Sequence, residues 1–197
     1  MKQPAHSRQR DAELIAQIAV RDERALSELG RCYGEQMFRY ALRLIKDATI
    51  AEELINDVLL EVWYTADNFR GASRLSTWLL GITRFKAINA VRGKRLQWVD
   101  NQILNEVPDD LYEIERDLQT VERKKRIRVI RAAMLELSAE HREVLDLTFF
   151  HDCSYAEIAQ IVGVPAATVR TRMHYAKVRL RQALHTLDMR LSADLLG

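Results

Sequence analysis

The stretch Ser154-Tyr-Ala-Glu-Ile-Ala-Gln-Ile-Val-Gly-Val-Pro-Ala-Ala-Thr-Val-Arg-Thr-Arg-Met173 has the spacing of two helices joined by a tight turn. Ser154 with Glu157 forms a capping box, the pattern that opens a helix. Ala159 is small where a second helix must cross closely, and Gly163 offers the positive φ that the turn needs. Pro165 suits the opening of the next helix, and Ile158, Val164, Val169 and Met173 supply a shared apolar seam. Further on, Val169, Met173, Ala176, Leu180 and Leu184 recur at inward spacing, leaving Arg170, His174, Lys177 and Arg181 on the exposed side. As a helix-turn-helix, this segment brings Arg and His to base edges in a major groove, with Lys177, Arg179 and Arg181 near phosphates. A solvated basic helical hairpin has the same pattern and stays open as the alternative.

Upstream, Leu14, Ile18, Leu26, Leu29, Tyr33, Met37, Tyr40, Ala41 and Leu44 recur at threes and fours. This predicts two amphipathic helices across 11–45, broken near 21–23. Thr49 with Glu52 predicts another capping box, opening a helix through Leu54, Val58, Leu59 and Val62 to Trp63. Residues 67–74 read as a loop by their Asn, Gly and Ser content. A helix resumes near Ser76 and closes at Gly93, with Trp78, Ile82, Phe85 and Ile88 spaced as core. Residues 98–116 are acidic, contain Pro108 and keep no clean period, which predicts a linker. Beyond it a basic helix runs from 117 to 137, followed by helices starting at Ser138, at Ser154 and at 165 or 166, the last reaching about Leu191.

With no β alternation, the predicted fold is all-α: two small helical domains, 1–97 and 117–197, joined by the linker 98–116. The 197 residues, 48% of them hydrophobic and 29% charged with only 7 Gly and 3 Pro, suit a folded helical chain and exclude collagenous or low-complexity classes. Cys32 and Cys153 have no nearby cysteine partner, so neither a disulfide framework nor a zinc knuckle is expected, and two inert thiols are. No run approaches the 18 or so apolar residues of a membrane span and the start lacks a signal-peptide core. We therefore expect a cytoplasmic protein with no membrane insertion.

The formal net charge of +2 hides blocks of opposite sign. Residues 70–98 hold seven Arg or Lys and no acid, 99–122 hold eight acids against one base, and 166–185 hold five bases and no acid. Local density of this kind decides polyanion binding more than the total does. In the first basic block Phe69, Trp78, Phe85 and Trp98 interleave with the cations, a combination suited to single-stranded nucleic acid, although helical spacing places such rings in a core equally well. Glu53, Asp57 and Glu61 form a stripe at i, i+4 spacing, either solvated or facing a basic partner. Catalysis lacks material: five scattered His, no Gly-rich phosphate loop, and no metal spacing around His151-Asp152-Cys153.

The order Thr49-Ile-Ala-Glu-Glu-Leu-Ile-Asn-Asp-Val-Leu-Leu-Glu-Val-Trp63, then Phe69-Arg-Gly and Ser76-Thr-Trp-Leu79, then Leu137-Ser, Tyr155-Ala-Glu-Ile-Ala and Thr168-Val-Arg-Thr-Arg172, resembles the extracytoplasmic-function (ECF) group of sigma-70-type initiation factors. The resemblance implies a first domain, region 2, that binds bacterial core RNA polymerase through Glu53, Asp57 and Glu61. It implies that the same domain melts the minus-10 element of promoter DNA, with Phe69, Arg70, Arg74, Arg84, Lys86, Asn89 and Arg92 as contacts. The second domain, region 4, then reads the minus-35 element through Thr168, Arg170, Thr171, Arg172, His174, Tyr175 and Lys177, and an anti-sigma factor restrains the whole. No cofactor, metal or small-molecule substrate is implied. In one place the chain departs from the family: where Arg-Ile-Ala-Arg-Asn is frequent, it has Gly81-Ile-Thr-Arg-Phe85, which makes Arg84, Lys86 and Asn89 the better candidates for contacts and leaves Phe85 to the core. The competing function is a dimeric helix-turn-helix regulator that binds a palindromic operator without polymerase.

Overall fold

A computed structural model of the chain describes residues 8–97 and 129–194; every regular element among them is helical. They fall into two compact units, one holding 8–97 and the other 129–194. The expected linker 98–116 and the start of the basic helix at 117 lie outside the described residues.

The first unit comprises α1 (Arg8–Ala19), α2 (Glu23–Ile45), α3 (Ala48–Thr65), a 3-10 turn (Ala66–Asn68) and α4 (Leu75–Gln97). The expected break between α1 and α2 is present: Arg21 takes a left-handed φ of 69° and Asp22 caps α2, accepting the Arg24 N–H at 2.8 Å. Lys46 closes α2 with another left-handed residue, and Asp47 immediately caps α3 by accepting the Ile50 N–H at 3.2 Å. The cap of α3 is therefore Asp47; Thr49, expected in that role, lies inside the first turn. The local reason is that Asp47 follows the left-handed Lys46 and has the extended backbone a cap needs, so the helix starts two residues earlier. α4 also continues past Gly93 to Gln97, since an interior glycine weakens a helix by about 1 kcal/mol without ending it.

Ile18, Leu29, Met37, Val58, Val62 and Leu79 are fully enclosed where α1, α2, α3 and α4 meet. A buried polar pin joins α1 to α2: the Tyr33 hydroxyl donates to Asp11 Oδ1 at 2.6 Å. Burial, then that bond, push the ionisation of Tyr33 well above its ordinary range.

The second unit comprises helical residues 129–135 (α5), α6 (Ala139–Phe149), α7 (Tyr155–Val162) and α8 (Ala166–Asp194). Ser138 caps α6 as expected, accepting the His141 N–H at 3.3 Å. α8 packs on α6 and α7 through Val169, Met173 and Ala176, which meet Val144, Leu147 and Ile158 in the core. Cys153 is buried there with its N–H bonded to Leu147 O at 3.0 Å, whereas Cys32 of the first unit is half-buried.

Candidate nucleic-acid interface

The turn between α7 and α8 is built as its sequence predicts. Ser154 Oγ accepts the Glu157 N–H at 3.3 Å while Glu157 Oε2 accepts the Ser154 N–H at 2.9 Å, closing the capping box. Gly163 ends α7 at φ 72°, and its N–H and that of Val164 both reach Ala159 O, at 3.0 and 3.2 Å. These bonds satisfy the end of α7 within two residues and let α8 start at Ala166 at a fixed angle.

On α8 the inward row Val169, Met173 and Ala176 is buried and continues through half-buried Leu180 and Leu184. Arg170, Thr171, His174, Tyr175 and Lys177 are exposed together on the outer side, joined by Arg179 and Arg181. Thr171 donates its hydroxyl to Ala167 O at 3.1 Å, and the His174 and Tyr175 rings meet edge to face at 5.5 Å. Thr168 and Arg172 are only half-exposed. Arg172 lies within electrostatic reach of Glu140 at the start of α6. That carboxyl is held below its usual range first by its own backbone N–H and the Ser138 hydroxyl, and to a lesser degree by the Arg172 charge.

In the first unit Glu53, Asp57 and Glu61 are exposed along α3, with Leu60 and Tyr64 exposed beside them. The stripe is not simply solvated, because Glu61 Oε2 lies 3.3 Å from Lys86 Nζ on α4. At the end of α3 the Arg21 guanidinium stacks over Trp63 and Tyr64 at 5.3 and 5.7 Å, a cation–π cluster that the apolar rhythm did not signal.

Phe69 turns inward, half-buried with its ring 5.3 Å from that of Trp78, while Arg70 beside it is exposed and Arg74 half-buried. On α4, Arg84 and Lys86 are half-buried and Asn89 and Arg92 exposed. Phe85 overturns its expected place in the core: it is 68% exposed. The buried row of α4 is Leu75, Leu79, Thr83 and Ala87, which puts Phe85 on the opposite side. Thr83 carries the misread register, since its hydroxyl donates to Leu79 O at 2.8 Å and a hydroxyl satisfied in this way is buried at little cost. The missed signal was the i, i+4 spacing of Leu75, Leu79, Thr83 and Ala87, in which two small residues weaken the apolar rhythm.

Among the described residues no group of three His, Cys, Asp or Glu could hold a metal ion, and no helix is long and apolar enough to cross a membrane. The sigma-70 region 2 model matches residues 29–97, and the sigma-70 region 4 model matches residues 127–180. The chain is 32% identical over 160 residues to the ECF RNA polymerase sigma factor SigL of Mycobacterium tuberculosis, covering 78% of this chain and 85% of that one. Two solved structures share the fold: CnrH in complex with the cytosolic domain of CnrY (TM-score 0.63, 22% identity, 89% of this chain and 97% of that one), and the sigma factor RpoE in complex with the anti-sigma factor NepR from Bartonella quintana (TM-score 0.59, 23% identity, 81% and 96%). The two regions lie in the expected order, each on the unit whose helices the residues predict, and the chain belongs to the sigma-70 family, in its group of ECF RNA polymerase sigma factors.

Proposed function

We propose a division of labour in which residues 1–97 grip core RNA polymerase and the minus-10 element, 117–197 read the minus-35 element, and 98–116 connect them. Glu53, Asp57 and Glu61 on α3 meet a basic surface of the polymerase. Arg70, Arg74, Arg84, Lys86, Asn89 and Arg92, with Phe69 bracing the loop, follow the strand that opens at minus-10. Arg170, Thr171, His174 and Tyr175 face base edges in the duplex, with Thr168, Arg172 and Lys177 toward phosphates.

One observation supports this reading most: the chain that matches region 2 also holds a helix-turn-helix whose first helix is capped at both ends and whose second exposes Arg170, Thr171, His174, Tyr175 and Lys177 on one side. Such a pair of units makes specificity depend on melting. The duplex reader anchors the promoter while the other unit captures bases as they unpair, and the free chain binds DNA weakly because neither unit is positioned. The protein is a binding factor, needs no cofactor and catalyses no reaction itself. It acts in the cytoplasm, in a stress or environmental response, restrained by an anti-sigma factor; RpoE, a protein of the same fold, is described in such a complex.

The test is anisotropy of the labelled chain with bacterial core RNA polymerase, followed by transcript synthesis from a promoter library. Tight binding with promoter-dependent transcripts is the expected result. Folded protein that binds a palindromic duplex alone and ignores polymerase would sink this reading. Replacing Glu53, Asp57 and Glu61 together by Ala is expected to weaken core binding, and unchanged affinity removes the stripe from that interface.

A further inference from the structure

Two ionisable side chains are buried where α6 passes into α7, and the exposed face of α8 uses neither. Asp146 lies near the end of α6 with 9% of its side chain exposed, and His151 follows that helix with 2% exposed. His151 Nε2 stands 3.4 Å from Asp146 Oδ2. Charged groups are rarely buried this far unless they are paired, because a lone charge loses its hydration and gains nothing in return.

The pair sits on a turn with little slack. Only residues 150–153 separate the last residue of α6 from the Ser154 cap of α7. Within them the Phe150 N–H donates to Asp146 O at 2.9 Å, the Cys153 N–H to Leu147 O at 3.0 Å and the Cys153 thiol to His151 O at 3.5 Å. Asp152 is exposed and takes a left-handed φ of 48°, a conformation with a steric cost for any residue but glycine. The turn thus carries Asp152 outward at a cost and His151 inward, against the carboxylate. Since Ser154 opens α7 directly afterwards, the His151–Asp146 contact helps to fix where α7 begins, and α7 in turn sets α8 through Gly163.

The other charges of this unit leave Asp146 as the one at ion-pair distance from the imidazole. Glu157 on α7 is committed to Ser154, and Arg172 on α8 lies toward Glu140 at the far end of α6. Arg131 on α5 and Glu143 on α6 are half-buried and opposite in sign, as His141 and Tyr155 are half-buried titratable groups, and Arg170, Lys177, Arg179 and Arg181 are exposed on the outer side of α8. A carboxylate at this distance favours the imidazolium over the neutral ring.

We propose that His151 and Asp146 form a proton-operated latch on the second unit: while His151 carries a proton the pair holds the turn and seats α7, and loss of that proton loosens α7 and weakens duplex reading. The latch belongs to the fold; its effect on DNA rests on the assignment of this unit to the minus-35 element. The pair favours the proton on His151 in the folded chain, so its stabilisation is complete below the unfolded histidine value of about 6.5 and is lost as pH rises through the folded value. At the acid end it is lost once Asp146 is protonated, below the unfolded aspartate value of about 3.9.

The test uses the full chain. Histidine ring signals are followed by NMR against pH, with His151 assigned through His151→Gln, and its midpoint is expected about one unit above those of exposed His174 and His185. Asp146→Asn, which keeps the side-chain shape, should lower that midpoint. Hydrogen exchange of the α7 amides, corrected for the intrinsic rate, should show protection falling about 10-fold between about pH 6 and pH 8, while α2 in the first unit keeps its own. In His151→Gln the dependence disappears; if that variant does not fold, the Asp146→Asn midpoint decides alone. A His151 ring that stays neutral across the range, a midpoint that Asp146→Asn leaves in place, or the same pH dependence of α7 in His151→Gln overturns the latch. The effect on DNA is read with a random-sequence duplex at low salt in a His174→Gln background, which removes the imidazole on the reading face. Affinity should fall with pH only where His151 is present. A latch confirmed by exchange with no such fall overturns its coupling to duplex reading, so failure of the latch and failure of the minus-35 assignment are told apart.

Discussion

Lys86 on α4 and Glu61 on α3 form an ion pair of 3.3 Å, with 25% of the lysine and 46% of the glutamate side chain exposed. The pair joins the acidic stripe to the cationic helix, so a carboxylate assigned to the polymerase partly neutralises a lysine assigned to DNA. Glu61→Gln should therefore move two affinities in opposite directions. Core binding weakens, while the free chain binds single-stranded DNA more tightly by about 2-fold, the scale of one partly exposed pair. In a Lys86→Gln background the gain disappears. Anisotropy on the wild type, the two single variants and the double decides it, and an equal gain in both backgrounds reduces the effect to net charge.

The Tyr33–Asp11 bond makes a prediction about stability and pH. Tyr33→Phe leaves a buried carboxylate oxygen without its donor at 2.6 Å and is expected to destabilise the chain by about 2 kcal/mol at pH 7. Folding raises the ionisation of Tyr33, so its contribution is fully present below the unfolded value of about 10 and falls as pH rises beyond it, where the unfolded hydroxyl ionises and the folded one does not. Thermal melts of both proteins from pH 7 to 11 should show the gap between them narrowing at the alkaline end. A constant gap would mean that folding does not raise the ionisation of Tyr33.

Much of this molecule was legible because its punctuation is local. Ser154, Glu157 and Gly163 satisfy helix ends within a few residues, and their sequence alone locates α7 and the start of α8. The α1–α2 break was legible for the same reason, although Asp47 rather than Thr49 caps α3 because Lys46 turns left-handed just before it. Phe85 was misplaced because the α4 core row includes Thr83 and Ala87, whose burial depends on a bond to Leu79 and on close approach between helices rather than on hydrophobicity. The Glu61–Lys86 and Tyr33–Asp11 pairs, and Arg21 over Trp63 and Tyr64, join helices across the fold and have no periodic signature.

Gly163 tests whether the geometry of the turn, rather than its mere presence, matters to the duplex reader. An added Cβ meets nothing within 4 Å, so Gly163→Ala is opposed only by its φ of 72°. The expected destabilisation is about 1–2 kcal/mol, the usual scale for a left-handed alanine. Asn, which tolerates this conformation better, should recover part of it. Denaturant unfolding of the three proteins measures the series, and an alanine variant as stable as wild type would show that the backbone relaxes out of the left-handed region.

Arg170 and Lys177 are both exposed on α8, yet their proposed contacts differ in kind, and this separates base reading from charge. Arg170, near the start of the helix, is placed for a base edge, where one good contact discriminates by about 1–3 kcal/mol. Arg170→Ala should lower transcription by about 10-fold from a promoter with an intact minus-35 element and hardly at all from one lacking it. Lys177, two turns further along, is placed for a phosphate. Lys177→Ala should weaken binding to every duplex alike and reduce the slope of log affinity against log salt by about 1. Equal losses for Arg170→Ala on both promoters would make it another phosphate contact and shift base reading to His174 and Tyr175. A sequence-dependent loss for Lys177→Ala would instead extend the reading surface along α8.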